Sequence, residues 1–269
     1  MRKTGIIMHA VPGLSDEAYI GVIADLGFSC TFSGVFEKER HEKIAELLAK
    51  RGMQYETLHA PFNGINDIWL DSEEGEHMLS RLLLSIDSCV SAGAPIAVVH
   101  LSSGMTPPSI TDIGRARFER LVSYARQKNV RIAFENQRML ANLAWALETF
   151  SEADGVDFCW DCGHESCFTP GREYMPLFGK RLKCTHIHDN HGVFDQDDHM
   201  LPFDGSINYE RFADHIRNSG YKGSFMLEVF AGNSVSYTDM TPEAFLSRSA
   251  EAAGRLVALT DTPEQSYAL

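Results

Sequence analysis

The chain has 269 residues, 44% of them hydrophobic, which is enough for one large globular core. Lys and Arg number 24 against 37 Asp and Glu, for a formal net charge of −13. Such a surface repels phosphodiester backbones and argues against nucleic acid as a partner. No apolar run is long enough to span a membrane, and the opening MRKTGIIMHAVPG is too brief in its apolar part for a signal peptide.

In chain order, strand-like and helix-like segments alternate. Residues 4–11 read as a short apolar strand. Ser15 then caps a helix with Asp16 and Glu17 in its first turn and Ile20, Ile23 and Leu26 on its apolar face. Gly27 ends it. Residues 28–35 form a second strand, 37–50 a helix closed by Gly52, and 54–62 a third strand; Ser72 starts a long helix that ends at Gly93. PIAVVHL at 95–101 is a buried strand by its continuous apolar run. Thr111 caps a helix to Lys128. A strand at 130–135, a helix at 140–150, a strand at 156–160 and a weak helix at 174–177 follow. The end of the chain reads as a strand at 182–187, a helix at 209–219, a strand at 224–229, a helix at 242–259 and a frayed tail from Thr260.

Eight strand–helix units in this length point to a (βα)8 TIM barrel as one domain over residues 1–269. The alternative, a doubly wound open sheet, lacks the G-x-G-x-x-G that a dinucleotide site would need after the first strand. The cysteines at 30, 89, 159, 162, 167 and 184 are scattered. They are expected to be free thiols in a cytoplasmic protein. Cys159-x-x-Cys162 has no second pair and is not read as a zinc or redox site.

In a barrel of this kind the active site lies at the C-terminal ends of the strands. His59 ends the third predicted strand, His100 the fourth and Glu135 the fifth; Asp161 and His164 end the sixth, His186 the seventh and Glu228 the eighth. Carboxylates inside FMLEVF and IAFEN are costly to bury unless they are paired or hold a metal. The stretch LKCTHIHDNHGVFDQDDHMLPFDGSI at 182–207 is the richest in ligand types, with His186, His188, Asp189, His191, Asp195, Asp197, Asp198 and His199. His188 and His191 are alternatives to His186 as a ligand. His9 ends the first strand and suits either the site or packing. His41, His77 and His215 lie on predicted helices and are expected to be solvated. Trp160 and Phe62 suit either a sugar face or barrel packing.

Taken in order, HAPF at 59–62, VVHL at 98–101, FEN at 134–136, WDCGH at 160–164, HIHDN at 186–190, the D-x-H at 197–199 and LE at 227–228 resemble the xylose isomerase-like TIM barrels. This is a superfamily of sugar and sugar-phosphate isomerases and epimerases that also contains endonuclease IV. The resemblance covers nearly the whole chain. It implies one divalent ion (Mn, Zn, Mg or Co) on Glu135, Asp161, His186 and Glu228, with no organic cofactor. Glu135 and Glu228 would do the proton chemistry through an enediolate. Endonuclease IV adds histidines and a D-x-H around three zinc ions; the matching positions here are His59, His100, His164, Asp197 and His199.

The expected activity is therefore that of a metal-dependent isomerase or epimerase of a sugar, sugar acid or related polyol. An AP endonuclease with a multinuclear zinc site and a sugar dehydratase are the alternatives. His59, His100, His164, Asp197 and His199 are expected mainly to bind substrate, with a second metal as the other role. The partner is a small carbohydrate, and a homo-oligomer is compatible with the sequence. Where the family's loop has Pro-Gly after the D-x-H, this chain has Pro202-Phe203. The loops after the last two strands, DQDDHMLPFDGS and AGNSVS, contain no Arg or Lys, so a non-phosphorylated substrate is expected.

Overall fold

The computed structural model describes residues 2–233 and 237–261. Its strands are β1 (Thr4–Ile7), β2 (Cys30–Gly34), β3 (Gln54–His59), β4 (Ile96–Val99), β5 (Arg131–Glu135), β6 (Val156–Asp161), β7 (Leu182–His186) and β8 (Phe225–Leu227). All neighbours are parallel, in the order β7-β6-β5-β4-β3-β2-β1-β8. The circle is completed just past the strand ends. There Ile187 N donates to Met226 O at 2.9 Å and Glu228 N to Ile187 O at 3.0 Å. The result is the expected (βα)8 barrel.

The helices are α1 (Asp16–Asp25), α2 (Lys38–Lys50), α3 (Glu73–Ala92), α4 (Asp112–Gln127), α5 (Leu140–Thr149), α6 (Cys162–Phe168), α7 (Met175–Phe178), α8 (Tyr209–Ser219) and α9 (Pro242–Asp261). The capping residues act as their chemistry requires. Ser15 accepts from Ala18 N, Ser72 from Gly75 N and Thr111 from Gly114 N. Gly93 ends α3 in the left-handed conformation. Among the described residues no helix is long and apolar enough to cross a membrane.

Strand periodicity sorts the side chains into two layers. Ala97, Val99, Ile132, Phe134, Phe158 and Trp160 pack outward in the layer beneath the helices, whereas Ile96, Val98, Ala133, Cys159 and Cys184 form a separate cluster inside the barrel. Extending each inward row by one position gives His100, Glu135, Asp161 and His186. The alternation that builds the barrel core therefore also aims these four side chains into its mouth.

Several expectations need correction. The first strand stops at Ile7 rather than 11, because His9 takes a positive φ of 63° and turns the chain. α6 was not anticipated; Asp161 caps it by accepting from His164 N at 2.7 Å, so His164 sits in a helical turn rather than on a strand. His41 and His215 are buried, not solvated. His41 accepts from Phe36 N at 2.9 Å and contacts the Tyr55 hydroxyl at 3.0 Å, and His215 packs edge-on to Trp160. His77 is exposed as expected. α9 continues through Thr260 to Asp261, and the rest of the anticipated frayed tail lies outside the described residues. All six cysteines are free and buried.

The loop between β3 and α3 contains a 3-10 turn (Ile65–Trp69) that the polar periodicity did not reveal. Trp69 is fully buried, donates from Nε1 to Leu101 O at 2.7 Å and lies across α4 at Gly114. A Cβ at Gly114 would overlap the indole ring. On an exposed helix surface, Gly→Ala gains up to about 1 kcal/mol. Here the clash reverses the sign. We expect Gly114→Ala to destabilise by about 1–3 kcal/mol, read as a lower urea midpoint with altered Trp69 fluorescence. A midpoint unchanged or raised would show that the indole is not fixed against α4.

Candidate active site

Glu135, Asp161 and His186 are the last residues of β5, β6 and β7, and Glu228 follows β8 directly. All four are buried. His186 Nδ1 lies 2.6 Å from Glu135 Oε1 and 3.1 Å from Glu228 Oε2. One ligand atom from each of the four falls within 4.8 Å of all the others. His186 Nε2 and Asp161 Oδ2 are buried with no hydrogen-bond partner. A buried carboxylate oxygen and ring nitrogen without partners are costly, and both are good ligands for a divalent cation. One imidazole with three carboxylates is a donor set that fits such an ion.

Two further groups adjoin this one. His59 joins Glu135 and His186, with His59 Nε2 at 3.3 Å from Glu135 Oε2 and 3.2 Å from His100 Nε2. His100 Nε2 makes a short contact with the same Glu135 oxygen. The second group is His164, His188, Asp197 and His199. Asp197 Oδ2 lies 3.2 Å from His164 Nε2 and 3.0 Å from His199 Nε2. Both nitrogens of the fully buried His188 lack a hydrogen-bond partner, as does Asp197 Oδ1.

His188, the alternative to His186, falls in this second group, and its Nε2 also lies 3.1 Å from Asp161 Oδ1 of the first. Gly163 makes room for it, because a Cβ there would overlap the His188 ring. This requirement was missed in the sequence, although the glycine in WDCGH is visible. His191 is exposed and pairs with Asp198 at 3.0 Å, so neither faces the mouth. Asp195 pairs outward with Arg138. Asp189 organises its own loop, accepting from the backbone N–H groups of Asn190, Phe203 and Ile207. His9 contacts Asp16 and Arg40 in a separate cavity. Trp160 stacks outward on Phe212, 4.9 Å between ring centroids, and so packs the barrel wall. Phe62 is exposed at the mouth.

The mouth is a cavity of 540 Å³. Its walls contain Phe62, one of the two aromatics singled out in the sequence, and three phenylalanines that sequence reasoning did not assign. Phe32 stacks on His186 at 4.5 Å, Phe62 on His100 at 4.7 Å and Phe168 on His164 at 4.8 Å, and Phe230 meets His199 edge-on at 5.3 Å. Each ring fixes an imidazole plane and keeps water from its flank. Gln137 was also missed; its side-chain nitrogen lies 3.1 Å from His100 Nε2 and 2.9 Å from His164 Nδ1. Arg138 and Arg81 reach the cavity from the β5–α5 loop and from α3, not from the loops in which phosphate ligands were sought. Arg138 lies 3.5 Å above the Phe168 ring. Of AGNSVS, residues 234–236 lie outside the described residues.

Charge in the mouth is arranged in opposition. Burial, the largest influence on Glu135, pushes its carboxyl up, but His186 and His100 together hold it well below the usual range. Glu228 is likewise raised by burial yet held low by His186 and His199. Burial lowers His186, but Glu228 and Glu135 lift it well above its ordinary value. Burial wins at His100, which is lowered. Asp197 is raised by burial but held low by His164 and His199. Burial opposes the rise at His164 and His199, yet Asp161 and Asp197 bring His164 to about 10, and Asp197 and Glu228 bring His199 to about 9.

The model of the xylose isomerase-like TIM barrel family matches residues 20–253, and the chain belongs to that family. An uncharacterised Sinorhizobium fredii protein, y4fM, is 26% identical, with 70% of each chain covered. Among solved structures, D-psicose 3-epimerase of Clostridium cellulolyticum H10, determined with D-tagatose, superposes with a TM-score of 0.79. It is 11% identical, and the match covers 97% of this chain and 100% of that one. The 3-keto-D-glucoside 4-epimerase YcjR of E. coli superposes with a TM-score of 0.74 at 15% identity, covering 96% and 100%.

In protein freed of divalent ions, the His164 and His199 rings stay cationic at neutral pH. Folding raises both above the ordinary 6.5, so their ion pairs with Asp197 stabilise the fold fully below that value. That stability is lost as pH rises through about 9 and then about 10. We expect imidazole NMR signals of these two rings to titrate in that window, and Asp197→Asn to move both downward. Rings that titrate at or below the ordinary value in the wild type would remove the ion-pair assignment.

Proposed function

We propose that this xylose isomerase-like barrel is a divalent-metal-dependent isomerase or epimerase of a non-phosphorylated sugar, sugar acid or related polyol, acting in the cytoplasm. The observation that carries the reading is the Glu135, Asp161, His186 and Glu228 group, with a ring nitrogen and a carboxylate oxygen buried and unpaired at the floor of the mouth. A divalent ion bound there would supply Lewis acidity to a substrate carbonyl and its neighbouring hydroxyl. Carbohydrate epimerases of the same fold, D-psicose 3-epimerase and 3-keto-D-glucoside 4-epimerase, support the substrate class.

The chain's own residues then divide the work. Glu135 and Glu228 come from strands five and eight and meet at His186. Both are held ionised at neutral pH, as a general base must be. One removes the proton on the carbon next to the carbonyl, and the electron pair moves to the carbonyl oxygen. The other carboxylate must first take up a proton, by exchange with water, and then delivers it to carbon. Return to the same carbon from the opposite face epimerises it; return to the former carbonyl carbon, with the proton of the neighbouring hydroxyl passing to the former carbonyl oxygen, isomerises the sugar. The Glu228 side chain is 12% exposed and that of Glu135 is fully buried, so Glu228 is the group in exchange with water. His59, His100, His164, Asp197 and His199 line the cavity and would hold substrate hydroxyls.

Incubation with candidate ketoses, aldoses and inosose-type polyols in heavy water should place deuterium at one carbon. Glu135→Gln and Glu228→Gln should each lower kcat by about 10²–10⁴-fold. Asp161→Asn should lower the metal content found by elemental analysis. Unchanged metal content in Asp161→Asn together with Glu135→Gln would sink the ligand assignment.

One observation favours a second reading, a multinuclear site of the AP endonuclease kind: the His164, His188, Asp197 and His199 group, in which the buried His188 Nε2 lies 3.1 Å from Asp161 Oδ1 and 3.6 Å from Asp197 Oδ1. The two readings separate by stoichiometry. The first expects one tightly held ion per chain, unchanged in His199→Ala, with KM raised or kcat lowered. More than one ion per chain, falling in His199→Ala and in Gly163→Ala, together with cleavage of an abasic-site duplex, would establish the second.

A further inference from the structure

The opposite end of the barrel holds a cavity of 650 Å³ that the mouth chemistry does not use. Residues at or just before the starts of β1, β3, β4, β7 and β8 form it. Arg2, Lys3, Lys180, Lys183 and Lys222 line it, and Glu56 is the one carboxylate among its lining residues. In a chain with a formal charge of −13, five cations against one carboxylate in a single concavity is a strong local inversion.

The cations are not consumed by internal ion pairs. Arg2 donates to Gly223 O at 2.9 Å and Tyr221 O at 3.0 Å, Lys3 to Gln54 Oε1 at 2.9 Å and Lys180 to Asn218 O at 2.9 Å. All these acceptors are neutral. Lys183 and Lys222 are exposed and have no hydrogen-bond partner among the described residues. Glu56 is engaged by the Ser224 hydroxyl, and Asp261 acts on Arg2 only at longer range.

We propose that this floor cavity is a binding site for a compact, multiply charged phosphate anion, such as a sugar bisphosphate. The positive charge is confined to a concavity, and the net acidity of the remaining surface repels an extended polyanion. The neighbouring rings, Tyr221 and Phe225, are buried against Arg2 and offer no face on which nucleic-acid bases could stack. The site also spans the weakest seam of the barrel. β7 and β8 share a single backbone bridge, at Ile187 and Leu227, besides the Thr185 hydroxyl contacts to Ser224 O and Met226 N, and β8 has only three residues. An anion held by Lys183 on β7, Lys222 before β8 and Lys3 before β1 would tie that seam from below. The anion therefore acts as a stabilising ligand, and the site is independent of the sugar chemistry at the mouth.

The test uses the metal-loaded full chain with divalent ion in excess of any chelation. 2,3-Bisphosphoglycerate should raise Tm saturably, by about 5 °C or more at a hundredfold excess over Kd, beyond sodium chloride of equal ionic strength. It should also protect Lys183 and Lys222 from acetylation, read by mass spectrometry. The Lys3→Gln/Lys183→Gln/Lys222→Gln variant should bind at least tenfold more weakly while keeping its deuterium exchange into sugar. Citrate at the same concentration separates phosphate from general carboxylate recognition and should bind more weakly. A Tm change that follows ionic strength alone, protection absent at both lysines, or a rise that survives in the triple variant would each overturn the proposal. Tighter binding of a single-stranded oligonucleotide than of the bisphosphate would overturn it too. Lysine protection is read on the wild type, so it decides the matter even if the triple variant fails to fold.

Discussion

The mouth is governed by the expense of burying carboxylates. Glu135, Asp161 and Glu228 are buried at the strand ends, and Asp197 leans into the same cavity from a loop. Isolated, such groups would take up protons rather than remain charged. They are instead ringed by His59, His100, His164, His186, His188 and His199, several of them drawn toward the cationic form. Yet the match is incomplete, since Asp161 Oδ2, Asp197 Oδ1, His186 Nε2 and His188 Nδ1 have no hydrogen-bond partner. Breaking a buried network by removing one partner is costly, and completing it with a cation removes the cost.

Much of this was legible in the chain because a barrel strand writes its two faces on alternate residues. PIAVVHL, IAFEN and FMLEVF each place a ligand type where the apolar run ends, and each lands in the mouth. The same alternation also orients Trp160. If Asp161 and Cys159 face inward, Trp160 must face outward, and it does, stacked on Phe212. The helix caps were equally readable, because Ser15, Ser72 and Thr111 satisfy local backbone groups and need no tertiary context.

Properties that depend on two distant segments could not be read this way. His41 lies in a helix of charged residues, and only the approach of Tyr55 and Phe36 buries it. His188 resembled a spare copy of His186 because the two share a strand end; the absence of a side chain at Gly163, on the neighbouring strand's helix, separates them. Of the phenylalanines behind the histidines, only Phe168 lies within a helical period of its partner, four residues after His164 on α6, whereas Phe32 and His186 come from β2 and β7 and no local period links them.

Pro202-Phe203, where the resemblance expects Pro-Gly, takes a glycine-like backbone conformation. Phe203 has a φ of 75°, the left-handed region in which glycine is at ease and a phenylalanine is strained. The strain is over-determined by its surroundings. Its N–H donates to Asp189 at 3.0 Å, its ring lies 4.5 Å from Tyr209, and Arg255 sits 3.8 Å above it. Asp189 in turn accepts from Ile207, and Gly205 has no room for a side chain against it. This buried carboxylate thus fixes both ends of the loop, between which Asp197 and His199 are held facing the mouth. His199 is itself in a positive-φ conformation, at 48°, and is steadied by its Nδ1 contact with Glu228 O at 2.8 Å. A loop that ligates a cation or substrate must resist collapse when its charges are unneutralised. Here that resistance comes from Asp189, which sits among the ligand types in the sequence yet serves only the backbone.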